Sequence, residues 1–104
     1  MNGLADRLKD RALLRTQAFI DGAWVDADSG ATVPIQNPAT GETIASVARC
    51  GTAETRRAIL AAERAQIGWR KLTAKARSDI LRRWFDLMMA HQDDLAEILT
   101  AEMG

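Results

Sequence analysis

The chain has 104 residues, enough for one small domain and not for two. Its 47% apolar and 27% charged residues are ordinary for a globular protein, and the formal net charge is zero. One cysteine excludes an internal disulfide framework and a multi-cysteine zinc site, and the short, charge-broken apolar runs exclude a membrane span.

The charge is unevenly placed. Residues 1–48 carry four basic and six acidic side chains, 49–83 carry ten and three, and 84–104 carry none and five. A basic block of this kind is one form of nucleic-acid face. Mutual neutralisation, or pairing with acids elsewhere, is the plainer reading, because the basic residues are spread around their helices.

Leu4 to Thr16 reads as a short amphipathic helix facing inward with Leu4, Leu8 and Leu13 or Leu14. Between Phe19-Ile20 and Ala23-Trp24-Val25 stands Asp21-Gly22, a strong hairpin signal, since a type I′ turn needs positive φ at both central residues. Thr32-Val33-Pro34-Ile35 is a further extended run, with Pro34 demanding an unpaired or edge position. Asn37 to Glu42 is a turn, and Thr43 to Val47 alternates as a strand. Residues 17–48 therefore read as a small β-meander.

From Thr52 the period becomes helical. Thr52 is the expected N-cap of a helix from Ala53 to about Gln66, with Ile59, Leu60 and Ala62 inward and Gly68 as its stop. Thr73 caps a second helix reaching Ala90, whose Ile80, Trp84, Leu87 and Met88 share one face, widened by Leu81, Phe85 and Met89. A last helix is expected from Asp94, capped by Asp94 with Glu97 and carried by Leu95, Ile98, Leu99 and Met103, with Gly104 just past its end.

Groups able to do chemistry are few. Cys50, in Ala48-Arg49-Cys50-Gly51-Thr52, follows an arginine and precedes a helix, a setting that favours a thiolate. It has no motif for an oxyanion donor or a cofactor beside it, so an inert loop cysteine is the expectation. His91 is the lone imidazole and is read as meeting the last carbonyls of the Thr73 helix. Asp93 and Asp94 are adjacent and point apart, which suits a helix start better than a catalytic carboxylate pair. No glycine-rich phosphate loop occurs, and the tryptophans are read as core.

F-I-D-G-A-W-V-D-A at 19–27, N-P-A-T-G-E at 37–42, the lone Trp69 and L-T-A-K-A-R-S-D-I-L-R-R-W at 72–84 together resemble the N-terminal part of the aldehyde dehydrogenase superfamily. W-F-D-L-M-M-A-H-Q-D-D-L-A at 84–96 is similar to its NAD(P)-dependent succinate-semialdehyde branch. The resemblance spans about Leu14 to Gly104. It implies an α+β piece, with a helical arm at 1–16, a β-meander at 17–48 and helices at 52–104, forming the outer part of an α/β cofactor-binding domain.

The family's cofactor loop, general base and nucleophilic cysteine lie beyond the matched stretch. The resemblance thus implies no catalytic, cofactor-binding or metal-binding residue within these 104. NADP or NAD would serve the full-length parent, which oxidises succinate semialdehyde to succinate. The fragment alone would bind neither cofactor and would not turn over. Its partner would be the remainder of a cytoplasmic, homo-oligomeric enzyme, with no nucleic acid and no membrane. Some relatives hold a monovalent cation with positions matching the Ile35 carbonyl and Glu102. Two other readings remain open at this point: a stand-alone binding module using the basic 49–83 stretch, and an interaction protein using the apolar helix 73–90.

Overall fold

The computed structural model describes residues 3–104, so the expected arm's Met1 and Asn2 lie outside the described residues. The elements are α1 (Leu4–Arg7), a 3₁₀ turn (Arg11–Leu13), β1 (Ala18–Ile20), β2 (Ala23–Val25), β3 (Thr32–Gln36), β4 (Thr43–Ala48), α2 (Thr52–Trp69), α3 (Ala74–Ala90) and α4 (Gln92–Met103). Helices and antiparallel strands occupy separate parts of the chain, which makes the piece α+β.

The expected Leu4 to Thr16 helix is not continuous. After one turn, Leu8 adopts an extended conformation with φ −88° and ψ 140°. The Lys9 and Asp10 amides then bond to the Asp94 carboxylate instead of continuing a helical ladder, and the Asp10 carboxylate accepts the Ala12 amide to start the 3₁₀ turn. A distant carboxylate has outcompeted local helix propensity.

The expected meander is instead two separate two-stranded antiparallel sheets, β1-β2 and β3-β4. The β1-β2 turn is as the sequence demands: Asp21 has φ 52° and Gly22 φ 77°, the positive pair of a type I′ turn. Residues between β2 and β3 are drawn away from strand pairing toward α2. The Asp28 carboxylate accepts two bonds from the Arg57 guanidinium, and the Asp28 amide donates to Glu54. In the second sheet the register steps between Ile35 and Gln36, pairing Ile35 with Ala45 and Gln36 with Thr43. Ile44 is therefore left without a direct partner, and such a bulge re-aims a side chain. Ile44 packs against the core.

That core is small. Leu4, Leu8 and Ala101 are buried together, with Leu14, Ile44 and Ile98 partly buried against them. The helical arm, the bulged strand and α4 thus meet in one cluster. β1 packs on α2, where a run of alanines (Ala58, Ala61, Ala62, Ala65) leaves room for the hairpin.

Several helix limits differ from the sequence reading. Thr52 is the first residue of α2, not its cap; Gly51 takes the cap position, and the buried Glu54 carboxylate accepts the Gly51 amide at 3.2 Å. Gly68 lies inside α2, which runs on to Trp69. The closing bonds are made by the amides of Arg70, Lys71 and Leu72. Ile59 and Leu60, expected inward, are exposed, and the buried residue of that stretch is Ala61. Thr73 does cap α3, accepting the Ala76 amide at 3.1 Å. α4 begins at Gln92, so Asp94 does not cap it; Leu99 and Met103 are exposed, and Ala101 carries its buried face.

The molecule measures 49 × 35 × 19 Å with a radius of gyration of 16.6 Å. A compact chain of this length has about 13 Å. Its accessible surface is 7904 Å². A folded monomer of 11.4 kDa exposes about 5,800 Å². The piece is a thin, open slab with roughly 2,100 Å² more surface than a self-contained domain of its mass.

Candidate functional site

The groups able to do chemistry are not brought together. Cys50 is half-buried in a shallow depression with Asp28, Ser29, Arg49 and Glu54, and no histidine lines that depression. His91 sits between α3 and α4, where its backbone amide, not its ring, meets the Leu87 carbonyl at 3.1 Å. The imidazole makes no hydrogen bond among the described residues. The helix end is thus closed without the side chain the sequence reading had used. No group of three or more His, Cys, Asp or Glu side chains among the described residues could hold a metal ion. Ile35 lies in β3 and Glu102 in the last turn of α4.

Two polar nodes and one close steric contact position the elements instead. The first ties the arm to α4. The buried Asp94 carboxylate takes the Lys9 amide on Oδ1 and the Asp10 amide on Oδ2, both at 2.9 Å. Those two amides hold its carboxyl below the usual carboxylate range, helped by the charges of Lys9 and His91. Around it Arg7 pairs with Glu97 at 2.6 Å and Lys9 with Asp93 at 3.7 Å. Sequence reasoning gave Asp94 a local capping role. A capping acid and one that reaches 85 residues back cannot be told apart by spacing.

The second node joins the β2–β3 loop to α2. Arg57 grips both oxygens of Asp28 at 2.9 and 2.7 Å, and this guanidinium hydrogen bond lowers the Asp28 pKa. Glu54, buried beneath it, serves the Gly51 and Asp28 amides. Together with Arg64–Asp21, Lys75–Asp79 and Arg82–Asp86, these contacts show how the basic stretch is balanced. Its acids come from the hairpin turn, the β2–β3 loop and the same helix. The acidic C-terminal stretch is matched by the arm. Pairing among the described residues thus engages four of the ten basic residues of 49–83 and does not run simply from block to block.

The steric contact joins the N-P-A-T-G-E turn to the end of α4. The Asn37 carboxamide oxygen accepts the Ala39 amide at 2.9 Å, and the Gly41 amide closes on the Asn37 carbonyl. Gly104, at φ 83°, lies so close that a Cβ there would sit 2.8 Å from Pro38 Cγ and 3.1 Å from the Ala39 nitrogen. Two distant sequence features are one contact.

What remains is the broad apolar face of α3. No α3 residue is buried. Trp84 is 63% exposed, Leu87 60% and Leu81 51%, and Phe85, Met88, Met89 and Ile80 are open as well. A tryptophan expected in the core therefore stands in solvent. Trp24 is also exposed, stacked on Phe19 at 5.0 Å with the Arg15 guanidinium 4.6 Å from its ring. Trp69 is half-buried. Monomeric proteins rarely leave apolar patches of this extent unless something covers them.

The model for the aldehyde dehydrogenase family matches residues 24–104. The chain belongs to that family. It is 61% identical over 98 residues to the glutarate-semialdehyde dehydrogenase of Pseudomonas aeruginosa, covering 94% of this chain and 20% of that protein. It is 53% identical over 98 residues to the NADP(+) succinate-semialdehyde dehydrogenase of Escherichia coli, again covering 94% of this chain and 20% of the relative. The crystal structure of succinate-semialdehyde dehydrogenase from Burkholderia pseudomallei superposes with a TM-score of 0.88 at 57% identity, over 91% of this chain and 20% of that one. The chain thus spans about a fifth of the length of these aldehyde dehydrogenases. The α+β class expected from the family resemblance is observed, with the arm and the meander differing as described above. The narrower expectation of a succinate-semialdehyde enzyme shares its ground with the glutarate-semialdehyde relative. No helix of the described residues is long and apolar enough to cross a membrane.

Proposed function

We propose that these residues are the N-terminal scaffold of an NAD(P)-dependent semialdehyde dehydrogenase, an incomplete part of the aldehyde dehydrogenase domain that supplies structure and no catalytic, cofactor-binding or metal-binding group. The observation that carries this reading is the uncovered apolar face of α3 on a slab whose surface exceeds that of a self-contained domain by roughly 2,100 Å². That is the scale of a large, specific interface. The remainder of a homo-oligomeric dehydrogenase chain is the partner that fits it. The lone thiol of Cys50 suits a reducing compartment such as the cytoplasm.

Support for the substrate class comes from the glutarate- and succinate-semialdehyde relatives, whose aldehydes carry a carboxylate at the far end of a short chain. We place this enzyme in that class, with succinate semialdehyde and NADP or NAD as first choices. No histidine lies beside Cys50, and the two carboxylates that do, Asp28 and Glu54, are engaged by the Arg57 guanidinium and by the Gly51 and Asp28 amides, so we do not assign it as the nucleophile.

The test has two arms. The purified chain, mixed with either semialdehyde and NAD or NADP, should produce no reduced cofactor. A chimera in which it replaces the matched N-terminal stretch of the Escherichia coli relative should recover oxidation of the semialdehyde. Turnover by the 104 residues alone would sink the scaffold reading, as would a folded chimera without activity.

A further inference from the structure

Polar ties run from the described arm, residues 3–14, to three carboxylates of α4, Asp93, Asp94 and Glu97. Asp94 is the central one, 5% exposed, and each of its oxygens holds one of two consecutive amides. Glu97 and Asp93 hold Arg7 and Lys9 further out, where solvent weakens an ion pair. Leu4 and Leu8 complete the attachment by packing with Ala101, against which Leu14, Ile44 and Ile98 also lie.

The partners within the arm are local: Asp6 pairs with Arg11, and the Asp10 carboxylate with the Ala12 amide. The arm can therefore keep its own turns while its contacts to α4 break. Its far end is fixed at the sheet, where the Ala48 amide donates to the Thr16 carbonyl at 2.8 Å. That bond leaves Leu14–Arg15 as the point of departure. Toward α3 the arm offers an apolar side chain, Leu13, which lines a depression with Trp84, Leu87 and Met88.

We propose that residues 3–14 form a separately releasable strap, latched on α4 by the Asp94 carboxylate and hinged at Leu14–Arg15. The latch requires two acceptors on one side chain. Asparagine has one carbonyl oxygen, and its NH₂ group would face the second amide donor to donor. Asp94→Asn should therefore open the strap at neutral pH. The charged groups facing Asp94 are Lys9 and Asp10 from the strap, His91 from the α3 end, and Asp93 with Glu97 on α4 itself. Of these, Asp93 stands in solvent and serves as a control.

The sign of the pH effect follows from the depressed pKa. The latch is complete above the ordinary carboxylate range, and is lost as pH falls through the lower value of the folded state. Release therefore belongs below about pH 4.

The experiment follows amide signals of the ¹⁵N-labelled 104-residue chain. In Asp94→Asn at neutral pH, the Lys9 and Asp10 amides should exchange at least tenfold faster while those of α2 and α3 keep their rates. Asp93→Asn should leave all of them unchanged. In the wild type, the same two amides should lose their bonded shifts on acidification before the α2 and α3 amides do. If the strap and helices lose protection together, in the variant or in acid, strap and body are one cooperative unit and the proposal fails. Lys9 and Asp10 amides that stay protected in Asp94→Asn would overturn it equally.

Discussion

A buried carboxylate needs hydrogen-bond donors, and the two buried acids here are served differently: Asp94 takes one amide on each oxygen, Glu54 two on Oε2. Glu54 is 6% exposed and serves the Gly51 and Asp28 amides, so its removal strands two part-buried donors. We expect Glu54→Ala to cost about 1–2 kcal/mol in a denaturant melt, most of it absent in Glu54→Gln if one acceptor suffices. Arg57→Lys, by contrast, removes a bidentate grip that is half in solvent. It should barely move the midpoint, and a loss as large as that of Glu54→Ala would show the grip to be the stronger tie. Asp94 adds an acid-side signature. Because its folded pKa is lowered, the unfolded chain binds more protons near pH 4, and stability should fall there on acidification. In Asp94→Asn, that part of the slope should flatten, as measured by the transition midpoint against pH.

At the level of elements, helix type and period were readable because they depend on neighbours in the chain. Thr73 at the start of α3, Asp21-Gly22 in the hairpin and the seven-residue apolar face of α3 all carry local signals. What was not readable depended on distant partners. The Leu4 to Thr16 helix broke because Asp94 captured two of its amides, and the meander split because Arg57 and Glu54 captured the β2–β3 loop. Gly68 carried a stop signal that α2 overrode, and Glu54, three residues after Gly51, marked the true start. The apolar pattern also said which face would be sticky, not whether this chain covers it. Two truncations separate the cases. Leu8→Ala, at a position 7% exposed, should cost the packing of the arm on α4 about 2–5 kcal/mol. Trp84→Ala, at 63% exposed, should stay within about 0.5 kcal/mol. Thermal melts of the two variants check this, and a Trp84 effect matching that of Leu8 would mean α3 is covered in solution.

For the molecule as a whole, the family was legible and the completeness of the core was not. The short motifs at 19–27, 37–42 and 84–96 are marks of relatives, and the family match confirms them over residues 24–104. They could not reveal that Pro38 and Gly104 touch, because a close approach leaves no trace in one sequence beyond the glycine itself. An open slab should also behave as one. A dye such as ANS should bind the isolated chain through the α3 face, as it binds loosely packed states. Replacing Trp84 and Met88 together with Gln should remove most of that fluorescence. Strong emission persisting in the double variant would locate the open apolar surface elsewhere.

The 19 Å thickness has a thermodynamic consequence of its own. A slab so thin is scarcely two helices deep, so few of its groups lie far from water. The heat capacity of unfolding records newly exposed apolar surface, about 1.2–1.5 kcal/mol/K for a compact chain of this length. Surface that is already wet before unfolding contributes nothing. An excess of roughly 2,100 Å² should lower that value by several tenths of a kcal/mol/K. The stability curve of the isolated chain is then broad and shallow, with weak curvature between its cold and hot limits. Covering the α3 face would steepen it.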